Sequence, residues 1–159
     1  MSQTPLTTYL NDHLAGGNAA LELLEQLIEQ VRDTEAEAEL RQIEAEITED
    51  KSVLLAVLKR SGGKESRVRS AAALVAQKIG QVKVAWDDPG DGEFRHFEAL
   101  EALALGIQGK AALWRALAEV KHGVPELDSD FGALERRAQD QFQRVDRLRL
   151  SLARKALSS

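Results

Sequence analysis

The 159 residues contain no cysteine. Without thiols there is no disulfide framework, no thiolate metal site and no cysteine nucleophile, and a reducing compartment, the cytoplasm, is the expected location. Proline occurs three times and aromatic residues make up 4% of the chain, a scarcity that suits helices better than sheets. No apolar run approaches the roughly 20 residues that a membrane-spanning helix needs. The opening MSQTPLTTYLNDHL has neither the basic start nor the apolar middle of a secretory leader. The expectation is one cytoplasmic domain, 1–159, with no membrane partner. Positive charge is also in deficit: the formal net charge is −5, which disfavours general affinity for nucleic acid.

What the chain has in quantity is apolar side chains at three-and-four spacing, the signature of amphipathic helices. A first helix is expected from Thr4-Pro5 to about Arg32, with threonine as N-cap and proline at the first helical position. Its apolar stripe carries His13 and Gly17 near its middle. Gly16-Gly17 weakens a helix by roughly 1 kcal/mol per glycine, which points to close approach of another helix or to a kink. A second helix, about Thr34 to Arg60, places Asp50 within its apolar sector and ends at Ser61-Gly62-Gly63, where glycine supplies a left-handed cap. A third is expected over Lys64 to Trp86, before the breaker Asp87-Asp88-Pro89-Gly90-Asp91-Gly92. The fourth, Glu93 to Lys121, is apolar over all but the strip Glu101, Gln108, Arg115 and Glu119, and reads as a central post covered on several sides. The fifth starts near Asp130, a suitable N-cap, and runs to about Ala156.

Segments one, two, four and five are each long enough to reach roughly 40 Å at 1.5 Å per residue. Four matched helices predict an all-α four-helix bundle. The third segment then returns the chain along the bundle, so that the second and fourth run parallel, the ferritin-like arrangement with one long crossover. A plain up-and-down array of five helices is the competing layout. Charge segregation supports mutual packing: Glu22 to Asp50 holds eleven acidic residues against Arg32 and Arg41, whereas from Phe131 onward seven basic residues oppose three acidic. A nucleic-acid face built from Arg136, Arg144, Arg147 and Arg154 would be opposed by that acidic half.

The candidate chemistry centres on His13. A buried imidazole needs a hydrogen-bond partner, and Asp50 on the inner face of the second helix is suited to the role. Together with Glu46, Glu98 and Glu101, these two would make a histidine and carboxylate cluster able to take a single divalent metal ion. A di-iron centre asks for more, namely two Glu-x-x-His motifs and a further Glu from each of two helices. The chain has one such motif, Glu93-Phe94-Arg95-His96, at a helix start, and only two other histidines, His13 and His122. Gly62-Gly63-Lys64 lacks the first glycine and the Ser/Thr of a phosphate loop and follows a helix. The aspartates of the 87–92 loop lack calcium-loop spacing. No nucleophile and base are paired by spacing, so no catalytic residue is assigned.

The stretches Tyr9-Leu10-Asn11-Asp12-His13-Leu14-Ala15-Gly16, Glu46-Ile47-Thr48-Glu49-Asp50 and Leu105-Gly106-Ile107-Gln108-Gly109-Lys110 with Leu113-Trp114 resemble those of a group of uncharacterised bacterial proteins of ferritin-like, four-helix-bundle fold. The resemblance implies the bundle and carries over no iron chemistry and no catalytic residue. The expected function is that of a non-catalytic structural or protein-interaction module, with no cofactor. Its partner would be a second copy or another protein, met on the third segment and the shallow face of the first helix. The alternative is a metal-binding member of the same fold that uses the inner cluster. A third class is a small-ligand carrier with a pocket between the first and fourth segments near Gly17, Gly106 and Gly109.

Overall fold

The computed structural model describes residues 4–66, 77 and 92–158. Four long α-helices, α1 (Pro5–Gln30), α2 (Glu35–Arg60), α3 (Gly92–Val120) and α4 (Phe131–Leu157), make up almost all of it, with a 3₁₀ turn at Lys121–Gly123 and no strand among the described residues. The expected helix over Lys64 to Trp86 falls largely outside the described residues.

Local chemistry fixes each helix end. Thr4 and Thr7 form a reciprocal capping box: the Thr7 N–H donates to Thr4 Oγ1 (3.2 Å) and the Thr4 N–H to Thr7 Oγ1 (2.9 Å), with Pro5 at the first helical position. Asp33, in the left-handed region at φ 64°, turns the chain between α1 and α2. Glu35 and Glu37 open α2 and Lys59 and Arg60 close it, each sign set against the opposite end of the helix dipole. Gly62 takes φ 73°, and the Gly63 and Gly62 N–H groups return to the carbonyls of Leu58 and Lys59. This Schellman cap satisfies the last α2 carbonyls and needs glycine. Asp130 caps α4 by accepting the Ala133 N–H at 3.0 Å.

Cross-helix pairs give the directions. Glu39, Asp50 and Arg60 of α2 meet Arg144, Arg137 and Asp128 in turn, so α2 runs antiparallel to α4. Glu93, Glu101 and Arg115 of α3 meet Lys155, Arg149 and Glu135, so α3 also runs antiparallel to α4. It follows that α2 and α3 are parallel, with Arg60 and Gly92 at opposite ends of the bundle. The packed neighbours are α1 with α2, α2 with α4, α4 with α3 and α3 with α1, which leaves α2 and α3 on one diagonal.

The core runs through all four helices, from Leu10, Leu24 and Leu27 of α1 and Ile43 and Leu58 of α2 to Trp114 of α3 and Val145 of α4. Trp114 stacks on Phe131 with centroids 5.9 Å apart, and both are fully buried. Each large side chain buried in this way contributes about 1.5–3 kcal/mol. The segment read as a central post is one of four corners. Leu105, Ala112, Arg115, Ala116 and Glu119 form an exposed strip, with Leu105 46% exposed. Alanine and glycine make α3 look apolar all round, but small residues lose little when left in water. Their use lies on the other side, where fully buried Ala99, Ala102 and Ala138 let α3 and α4 approach closely.

Candidate functional site

Asp50 lies between Ile47 and Leu54 at helical spacing, which turns a carboxylate into the core; it is 1% exposed. A charge so placed must be paired. Oδ2 accepts from Lys110 Nζ at 2.5 Å, and Oδ1 accepts from Arg137 Nε at 3.0 Å and from its Nη2. Gln141, wholly buried on α4, completes the layer: its Oε1 accepts from Lys110, and its Nε2 donates to Glu46 Oε2 at 3.0 Å and faces Asp50 Oδ2 at 3.4 Å. Arg144 closes the outer side, with Glu46 at 2.5 Å and Asp140 at 2.8 Å, and Arg137 reaches Glu49 at 2.8 Å. Lysine and aspartate thus meet through the middle of the bundle from helices on a diagonal, while glutamine and both arginines come from α4.

Environment sets the protonation of these groups. Burial lowers the Lys110 pKa, and the neighbouring Asp50 carboxylate only partly opposes that shift. Burial works to raise Glu46, but hydrogen bonds from Arg144 and Gln141 outweigh it and hold the carboxyl below its usual range.

His13 is half-buried on α1, its ring edge-on to Tyr9 at 4.7 Å. Burial lowers its pKa against the pull of Asp12, which favours the neutral imidazole. The expected His13–Asp50 hydrogen bond is not made; Asp50 commits its oxygens to Lys110 and Arg137, whose full charges are stronger partners than a neutral ring. His13 and Asp50 instead border one cavity of about 310 Å³ between α1, α2 and α3, walled by Leu14, Ala20, Ile47, Leu54, Ile107 and Trp114 and reached by Lys110. Gly16, Gly17, Gly106 and Gly109 also line it. Among the described residues a methyl group placed on Gly17 or Gly109 would meet nothing within 4 Å, so Gly17 opens space and does not admit a closely packed helix from among them.

The remaining candidates lie apart from that cavity. Glu46 is one turn from Asp50 and faces α4; Glu101 pairs with Arg149 at 3.4 Å, and Glu98 is half-buried nearly one turn away on α3. Glu93 of the Glu-x-x-His motif pairs with Lys155 at 3.0 Å. Among the described residues no three histidine, aspartate or glutamate side chains gather as a metal site would require. Sequence reading missed Lys110, Arg137 and Gln141. For Gln141 a signal existed: it stands between Ala138 and Val145 on the apolar stripe of α4, while its neighbour Phe142 is partly exposed.

No protein-family model, curated protein or solved structure matches the chain. Among the described residues no helix is long and apolar enough to cross a membrane.

Proposed function

We propose that the protein is a non-catalytic bundle of ferritin-like architecture, a structural and protein-interaction module in which a cross-core ion-pair layer takes the place of a metal centre. The topology supports it: two antiparallel hairpins with α2 parallel to α3 is the arrangement that one long crossover produces. The observation that carries the reading is the commitment of Asp50 to Lys110 and Arg137. A cation in this layer would have to displace an ammonium and a guanidinium from Asp50, and a second guanidinium from Glu46. The residues present do not fit a di-iron centre. The layer acts as a register device for α2, α3 and α4, because sliding any of these three by one turn would strand a buried charge.

The test is metal content after anaerobic incubation with ferrous iron, manganese and zinc in turn, with His13→Ala alongside. The reading expects no stoichiometric metal in either protein; one equivalent bound by the natural protein and lost in His13→Ala would restore the metal-binding alternative. Light scattering tests the interaction half, and a second copy as partner requires a species larger than the monomer.

A further inference from the structure

We infer that the cavity between α1, α2 and α3 is a binding site for a compact, neutral, largely apolar molecule carrying one hydrogen-bond-accepting oxygen. Size comes first. At about 310 Å³ the cavity stands at the lower end of small-molecule pockets. It has the volume of roughly ten waters at ~30 Å³ each, so it suits a ligand of about ten non-hydrogen atoms.

Its walls set the class. Leu14, Ile47, Leu54, Ile107 and Leu113 present hydrocarbon, which waters would wet poorly and an apolar ligand would cover. Two donors lack acceptors among the described residues. Trp114, fully buried in the wall, has an indole N–H with no hydrogen-bond partner there. An unsatisfied buried donor is uncommon in a folded chain. Lys110 carries three N–H groups and gives two, to Asp50 and Gln141. A ligand oxygen satisfies either one.

Charge then separates neutral from ionic ligands. Among the described residues that line the cavity, Asp12 and Asp50 balance Lys51 and Lys110, and Arg137 and Arg144 behind them are taken up by Glu46, Glu49 and Asp140. No net positive charge remains to offset a buried carboxylate. A ketone or similar neutral acceptor meets the donors without that penalty. Gly17 keeps the space open: it lies on the α1 face between His13 and Leu14, both in the wall, and its missing side chain leaves an unfilled position.

Calorimetric titration of the full chain with three probes of one shape tests this: acetophenone, cumene, which lacks the acceptor, and benzoate, which adds charge. Acetophenone is expected to bind at least about tenfold more tightly than either, the worth of one good hydrogen bond. Gly17→Leu, which fills the open position, should abolish binding of all three. Lys110→Met should reduce the acetophenone preference over cumene; should that variant fold poorly, Gly17→Leu alone decides whether the cavity is the site. No binding of any probe overturns the inference. So does binding that Gly17→Leu leaves unchanged, and so does a preference for benzoate, which would make the site an anion site.

Discussion

Asn11 Oδ1 accepts the backbone N–H of Ser66 at 2.8 Å, while Nδ2 of the same side chain donates to the carbonyls of Thr7 (2.9 Å) and Lys64 (3.2 Å). One buried amide on α1 therefore holds the chain where it leaves α2, 55 residues further on. Removing it takes away two part-buried hydrogen bonds to the Lys64 carbonyl and the Ser66 N–H, at about 0.5–1.5 kcal/mol. Asn11→Ala should lower the unfolding free energy measured in urea by that amount, and Asn11→Asp, which keeps the acceptor but loses both donations, should recover little. A change below about 0.5 kcal/mol in Asn11→Ala would show that water replaces the amide.

Glu46 and Arg144 join α2 to α4 at 2.5 Å with 19% and 10% of their side chains exposed. Such a pair lies between the exposed and the fully buried cases, so a coupling of about 1 kcal/mol is expected from Glu46→Gln, Arg144→Gln and the double variant. In 1 M salt, where screening extends to about 3 Å, the coupling should fall. An unchanged value in high salt would mean that geometry, not charge, joins the helices.

Stability should fall on mild acidification. The folded pKa of His13 lies below its ordinary value, so the unfolded chain takes up the proton first as pH drops through about 6.5. The native state loses ground from there down to the folded pKa, by at most about 1.4 kcal/mol per pH unit. Glu46, also lowered, adds a second loss once pH falls below about 4.5. His13→Gln should reduce the slope of the first part of the profile, leaving the share of His96, whose pKa burial also lowers, and should leave the second part as it is; equal slopes with and without His13 would refute the assignment.

Gly17→Ala should raise stability by up to about 1 kcal/mol, because alanine is the better helix former and its methyl meets nothing within 4 Å among the described residues. A melting temperature below that of the natural protein would show that the position is packed in solution.

Much of this architecture was legible in the chain. Thr4, Asp130 and Gly62 announce helix ends because caps depend on neighbours a few residues away. The acidic second helix and basic last helix foretold the α2–α4 seam, and Gly17, Gly106 and Gly109 foretold a space between α1 and α3. The partners of Asp50 were not legible. Lys110 and Gln141 stand 60 and 91 residues away from it, and no periodicity links positions on different helices. Lys110 was also hidden by its setting, a helix that reads as apolar nearly all round, where a lone lysine passes for a solvated exception. Its long stem, which carries the ammonium across the core, is a property of the side chain that no spacing rule registers.

The central claim is that the polar layer is a locked ion pair and not a ligand set held ready for a cation. A thermodynamic cycle through Asp50→Leu, Lys110→Met and the double variant, followed by urea unfolding, tests it most directly. Asp50→Leu strands two cations and should lose about 3–5 kcal/mol, whereas the double variant removes one of them and should be more stable than Asp50→Leu alone. Single losses that add to within about 0.5 kcal/mol would mean that the two residues do not act together, and would contradict the account.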